Sequence, residues 1–272
     1  MSSITQGHYY NKQLGCDDSV IAWSHRSRFL MALKLLGDNP GTVIDYGSGD
    51  GTFLAMASPR IVRGVGVDLA IDQIEDCRLR LEALQNLEFH PLSALADRRH
   101  VGAYNRVYCM ETLEHCLPPV VDIVLADLAR LVSPTGQIIV SVPIEIGPTF
   151  AAKYVLRTAA AWRGLSDYKY YERYRLSDAL RMAFAGARTS LDRPVHHDKD
   201  GTSHSHYGFN WRALRSTVGR FLNVERTLFS PFGFSAGFLS SQAWFVCGSR
   251  GKPEERQGVR SGPDSAGGWM TC

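Results

Sequence analysis

The sequence predicts an α/β protein built on a doubly wound, mostly parallel, seven-stranded sheet, and three observations carry that prediction. The first is residues 42–54, TVIDYGSGDGTFL: a short apolar run closing in acid, a turn with three glycines, and the start of a helix. Such a run is what the buried first strand of a parallel sheet looks like. The second is the alternation of apolar runs with helix-period segments that continues from there to residue 143, the signature of strand–helix crossover units. The third is QIIVSVP at 137–143, a strongly β-branched fifth strand.

Taken in order, residues 1–17 are polar and mixed, with Tyr9 and Tyr10 as the only anchors, and read as a loosely packed arm. Residues 19–36 read as a helix whose apolar stripe holds Ile21, Ala22, Phe29, Leu30, Ala32, Leu33 and Leu36. Gly37 and Pro40-Gly41 end it, and the glycine-loop strand follows. The run 65–69, VGVDL, is the second strand; 71–84 is a crossover helix; 87–90 is a short third strand and 106–110 the fourth. A helix over 117–132 has prolines in its first turn, where they are tolerated. Pro134-Thr135-Gly136 then turns the chain into the fifth strand.

Beyond it the regular alternation lapses. Residues 147–205 hold helix-like segments at 149–164 and 176–185, an aromatic and charged run YKYYERY at 168–174 able to stack on a ring, and a polar stretch at 193–201 that reads as a loop. The whole is longer than a plain connection and is expected to be a helical acceptor-side insertion. A helix at 209–221 and strands at 222–229 and 240–247 complete one domain over 1–250. Residues 251–272 are Gly, Pro, Ser and charge with little to bury, and are expected to be disordered.

The bulk numbers exclude some classes. Of 272 residues, 44% are hydrophobic, enough for a sizeable core, and the net charge of +3 gives no electrostatic argument for a nucleic-acid partner, which usually shows as a concentrated basic face. Nucleic acid is therefore not the expected partner. No charged-then-apolar leader and no membrane span is present in the sequence; the apolar run near 150–162 is short and carries Lys153 and Arg157. The six cysteines show no C-x-x-C pair, so the chain reads as reduced and cytoplasmic. Nothing in the sequence speaks to oligomeric state.

The loop chemistry is more specific. A dinucleotide fingerprint places its last glycine three positions after the second, whereas here the spacing is Gly47-x-Gly49-x-Gly51. The acid before the loop, Asp45, suits a ligand carrying a cation better than a pyrophosphate. Further on, Asp68 closes the second strand where a ribose diol would be held. The stretch resembles motif I of the class I S-adenosylmethionine-dependent methyltransferases, D-x-G-x-G-x-G. The resemblance implies that Asp45, Gly47, Ser48, Gly49 and Gly51 cradle the methionine part of S-adenosyl-L-methionine and that Asp68 holds its ribose. That family often carries an acid against the adenine after the third strand. Here Pro91-Leu92-Ser93 stand instead, leaving the contact to Ser93 or to backbone groups, with Met110 at the close of the fourth strand completing the set.

After the fourth strand comes Glu111-Thr112-Leu113-Glu114-His115. If it opens a helix, positions 111, 114 and 115 share a face beside the cofactor loop. Two carboxylates and an imidazole form a partial site for a divalent metal, Mg²⁺ or Mn²⁺. The stretch resembles the E-x-x-E-H of two methyltransferase groups, the small-RNA 3′-terminal 2′-O-methyltransferases and the O-methyltransferases of ubiquinone biosynthesis. In the first, a later histidine before F-x-W completes the metal site; Ser205-His206-Tyr207-Gly208-Phe209-Asn210-Trp211 is similar but offset by one residue. His206 is thus the candidate fourth ligand, and His204 its rival. Without a metal, Glu111 and His115 are the candidate catalytic pair, with His115 or His206 acting as a general base.

Together these features predict an S-adenosylmethionine-dependent O-methyltransferase. A metal that binds neighbouring hydroxyls would fix the nucleophile and lower its pKa, which points to a vicinal diol. The acceptor favoured is a sugar hydroxyl on a saccharide or glycolipid, such as a nodulation-factor-type oligosaccharide. RNA 2′-O-methylation and methylation of a quinone or phenolic small molecule are the alternatives. A nicotinamide-binding or cofactor-sensing module on the same fold is the non-enzyme alternative.

Overall fold

The structure, a computed structural model, describes residues 19–151, 176–198, 201–233 and 240–250. The N-terminal arm, most of the 149–164 helix-like segment, the aromatic run at 168–174 and the tail lie outside the described residues.

Helix α1 (Ser19–Leu35) leads into β1 (Thr42–Tyr46), α2 (Thr52–Ala57), β2 (Arg63–Asp68), α3 (Ile71–Arg80), β3 (Leu87–Pro91) and β4 (Tyr104–Met110). Then follow α4 (Pro118–Leu131), β5 (Val132–Pro143), α5 (Leu176–Ala183), β6 (Val195–Asp198), β7 (Gly201–His204), α6 (Trp211–Phe221), β8 (Asn223–Ser230) and β9 (Gln242–Gly248). The seven-stranded sheet has the order β3-β2-β1-β4-β5-β9-β8. Strands β1 to β5 run parallel, and β9 and β8 pair antiparallel beyond them. The order reverses between β1 and β4, so a crevice opens at their carboxyl ends.

Strand periodicity decides the layering, because successive side chains point to opposite faces. Val43, Tyr108, Ile139 and Trp244 face α1, α2 and α3, packing on Phe29, Ala32, Leu36, Phe53, Leu54 and Ile74. Their neighbours Ile44, Val107, Ile138, Val140 and Phe245 face α4 and α6, packing on Val124, Leu125, Leu128, Leu214 and Val218. Each fully buried Leu, Ile or Val contributes on the order of 1.5–3 kcal/mol. One member expected in the α1 stripe falls outside it: Leu30 is 53% exposed.

Two other expectations are corrected. The polar composition of residues 193–201 predicts a loop, but β6 and β7 form an antiparallel hairpin that pairs Val195 with His204 and His197 with Thr202. Polar hairpins separate from the main core carry no apolar alternation to announce them. Residues 111–115 do not open a helix. Glu111 has a φ of 51°, a left-handed conformation that ends β4, and α4 begins only at Pro118.

A polar contact inside the α4-side core provides a stability test. His100 is 2% exposed, and its Nδ1 lies 2.6 Å from the Tyr104 hydroxyl. Arg99 Nε donates to His100 Nε2, so Nδ1 carries the proton and donates to Tyr104. Tyr104→Phe removes that acceptor and is expected to cost about 1–3 kcal/mol, read as a lower denaturant midpoint. Burial, with Arg99 beside it, pushes the His100 pKa below its usual 6.5. The unfolded chain therefore takes up this proton first, so this contribution to stability is full above pH 6.5 and is lost as the pH falls from there through the lower folded value.

Candidate functional site

Residues 47–51 cross the carboxyl end of β2. The N–H groups of Gly47 and Ser48 both donate to Val67 O, at 2.8 and 3.0 Å, and Gly49 N–H donates to Asp68 Oδ2 at 2.8 Å. Gly47 and Gly51 have φ of 81° and 70°. A Cβ on Gly47 would lie 2.5 Å from Thr112 Oγ1, and one on Gly51 would lie 2.9 Å from the Phe89 ring. Glycine is required at both on conformational and steric grounds.

Asp45 sits beneath the loop, 2% exposed, and its Oδ1 accepts no hydrogen bond from the described residues. Burial, then repulsion from Asp68, push its pKa well up; Arg28 opposes this and Asp50 adds to it. An orphaned buried carboxylate is what a cationic ligand group would satisfy. Asp68 accepts from Gly49 and, at 3.0 Å, from Ala70 N–H, which leaves each oxygen with a lone pair for a diol. Ser48 is buried with its hydroxyl outside any hydrogen bond among the described residues. Met110 is half-buried at the end of β4, while Ser93 is exposed in the 3₁₀ turn after β3.

Arg28, which no sequence motif marks, is also here. Its side chain is 9% exposed and its Nη1 lies 3.5 Å from Glu111 Oε2. The signal was available: Arg28, Ala32 and Leu36 are spaced as one helix face, and the latter two are fully buried. Its guanidinium and the Asp45 carboxylate are complementary to the carboxylate and ammonium of an aminoacyl group. The residues present thus fit S-adenosyl-L-methionine.

Across the crevice the structure divides the expected metal set. Glu111 N–H donates to Ser141 O at 2.9 Å, and its carboxylate accepts from Ser141 Oγ at 3.2 Å and pairs with Arg28. The left-handed backbone turns its carboxylate onto Arg28 of α1, although it stays close enough to Glu114 to repel its charge. Glu114, His115 and His206 do come together, with one ligand atom from each all within 4.8 Å of one another. Glu114 is fully buried, and neither carboxylate oxygen accepts a hydrogen bond from the described residues. Burial, followed by the nearby Glu111, raises its pKa well above the usual range. His115 Nε2 lies 3.9 Å from Glu114 Oε1, and the His115 and His206 rings meet edge-on at 4.9 Å.

His115 is oriented by the hairpin. His204 N–H donates to His115 O at 2.9 Å, and His115 Nδ1 donates to His204 O at 3.0 Å. A proton on Nδ1 leaves the Nε2 lone pair available as ligand or base, the arrangement that orients metal-binding histidines. His204 is not the rival it appeared: it is buried, with its own Nδ1 against Pro194 O at 3.0 Å. One carboxylate and two imidazoles fit a divalent ion, and imidazole favours Mn²⁺ over Mg²⁺.

A glycine crevice with a buried acid at the reversal of a parallel sheet defines the class of protein, one that binds an adenosyl cofactor for group transfer. A family model described as "Methyltransferase domain" matches residues 22–186, and the chain belongs to that family, with the class I S-adenosylmethionine-dependent methyltransferase fold. Among curated relatives it is 30% identical over 149 residues to a ubiquinone biosynthesis O-methyltransferase of Aromatoleum aromaticum, covering 52% of this chain and 62% of the relative. A protein of the same name from Sodalis glossinidius is 35% identical over 141 residues, 49% and 53% of the two chains. The chain thus spans only a little over half the length of these relatives. Among solved structures, the PH0226 protein from Pyrococcus horikoshii OT3 superposes with a TM-score of 0.58 at 14% identity, over 90% of this chain and 98% of that one, a likeness of fold.

Proposed function

We propose that this protein is an S-adenosylmethionine-dependent O-methyltransferase whose acceptor presents two neighbouring oxygens to Glu114, His115 and His206. The observation that carries the reading is the Glu114 carboxylate, buried without a hydrogen bond among the described residues beside two imidazoles. It adjoins the cofactor crevice through Thr112, whose side chain packs on Gly47.

Methyl transfer is an in-line displacement at the sulfonium methyl, and it needs an oxygen nucleophile held close with its proton removed. Asp45 and Arg28 anchor the methionine end, and Asp68 the ribose, so the methyl group is presented from one side. Without an ion, the Nε2 of neutral His115, whose proton sits on Nδ1 against His204 O, is placed to take the hydroxyl proton; with an ion, that same lone pair would be a ligand instead. A divalent ion on Glu114, His115 and His206 would supply Lewis-acid activation of a hydroxyl. The described parts of the insertion at 147–205, α5 and the hairpin, form the acceptor-side wall.

The names of the curated relatives favour an aryl diol of a quinone precursor or related phenol. A sugar is the second reading: a cleft of about 440 Å³ carries Asp178, Arg181, Asp192, Arg193 and Tyr207 beside Met182, Leu191 and Pro194, a mixed wall that could meet both the hydroxyls and the apolar face of a ring. No described helix is long and apolar enough to cross a membrane.

The test is transfer of labelled methyl from S-adenosylmethionine to catechols, oligosaccharides and RNA, with and without EDTA. Transfer to a vicinal diol that is lost in EDTA and restored by Mn²⁺ is expected, with Glu114→Gln lowering it about 100-fold. Full turnover in EDTA would sink the metal, and binding of NADH but not S-adenosylhomocysteine would overturn the reading.

A further inference from the structure

We propose that Arg193 is a positioning residue of this site, clamping the segment after β7 that carries His206 against the turn that carries Glu114 and His115. The inference rests on the functional reading above, and no sequence motif marks the residue. Arg193 lies between α5 and β6, and its Nη2 donates to two carbonyls at once, Glu114 O and Ser205 O, the latter at 3.1 Å. Each carbonyl belongs to the peptide bond that leads into a site imidazole, the first into His115 and the second into His206. One guanidinium nitrogen therefore fixes the backbone on both sides of the ring pair.

Three further contacts make the clamp rigid. The guanidinium lies over the Phe209 ring, 5.2 Å from its centroid, so its plane is held by the chain just beyond His206. Gly208 has a φ of 69°, and a Cβ there would lie 2.4 Å from Asp192 O and 3.2 Å from Arg193 Cγ. The turn after His206 is thus pressed onto the Arg193 segment. The reciprocal contacts, His204 N–H to His115 O and His115 Nδ1 to His204 O, then set the register of the hairpin against the turn. Lysine would reach these carbonyls as a point charge, but it has no planar fork to stack on Phe209.

The experiment compares wild type with Arg193→Met, Arg193→Lys and Gly208→Ala, each as the full chain. S-adenosylhomocysteine affinity should stay within about 3-fold in all of them, because none touches the glycine crevice. Turnover at saturating acceptor, and Mn²⁺ affinity, should fall about 10–100-fold in Arg193→Met, the range typical of residues that orient ligands. Arg193→Lys should recover part of this, and Gly208→Ala should follow Arg193→Met. The nuclear Overhauser contact between the His115 and His206 rings should be present in wild type and lost in Arg193→Met. That readout requires neither metal nor turnover, so it judges Arg193 even if the wild-type chain needs no metal. An unchanged imidazole contact in Arg193→Met, or parallel loss of S-adenosylhomocysteine affinity and turnover, would overturn the proposal.

Discussion

Gly47→Ala is expected to weaken S-adenosylhomocysteine binding at least about 100-fold, roughly 2.7 kcal/mol, while leaving the chain folded. Two costs combine. A residue with a side chain in the left-handed region loses about 1–2 kcal/mol. The new methyl would also sit 2.5 Å from Thr112 Oγ1 and 3.2 Å from its Cγ2. Thr112 cannot yield freely, because its hydroxyl donates to Met110 O at 3.0 Å in the turn that positions Glu114. The loop must therefore move, and its backbone is the surface that would meet the cofactor. Gly102→Ala is the control: its φ is 64°, but its Cβ would meet nothing nearer than Val132 O at 4.0 Å. It should lose stability and keep affinity. If Gly47→Ala titrates calorimetrically like wild type, the loop is not the cradle.

Asp45→Asn should separate stability from binding. The buried carboxyl holds its proton to higher pH than it would in the unfolded chain, where its usual value is 3.8. Stability from this group is therefore full below pH 3.8 and declines as the pH rises from there through the raised folded value. Asparagine removes that slope, so the ligand-free variant should melt no lower than wild type at neutral pH. The ammonium of the cofactor, however, loses a charged partner, which costs about 1.5–3 kcal/mol, or roughly 10–150-fold in affinity. A bound cation also draws Asp45 toward its ionised form. Binding by wild type should tighten with rising pH and release a proton, and binding by the variant should do neither. Calorimetry in buffers of different ionisation enthalpy reads this directly. A variant that binds S-adenosylhomocysteine as wild type does would remove Asp45 from the site.

Much of the fold is legible in local patterns. β1 through β5 and their crossover helices announce themselves because a strand buried on both faces is a continuous apolar run, as in Thr42–Tyr46 and Arg63–Asp68. β9 carries the same signal, and the expected bounds of β8 and β9 lie within two residues of those observed. The hairpin β6–β7 was not, because its residues are polar and its docking runs through His115, Arg193 and backbone groups. The candidate site divides along the same line. Gly47, Gly49, Gly51, Asp45 and Asp68 lie within a short stretch whose spacing has one structural meaning. Glu111, Glu114 and His115 share a sequence spacing that suggested one helical face, and a single left-handed residue undid it.

The sequence by itself determined the donor side: a parallel sheet, a glycine crevice and two acids at strand ends, all consequences of contiguous residues and their periodicity. Tertiary structure alone decided how the candidate acceptor-side residues group. It paired Glu111 with Arg28 from α1 through one left-handed residue, and left Glu114 facing the imidazoles. It also set His206, and not the buried His204, beside Glu114 and His115, and it brought Arg193 onto the carbonyls before both imidazoles. Those choices depend on how a distant hairpin packs, and packing between segments far apart in the chain leaves no period in the sequence to read.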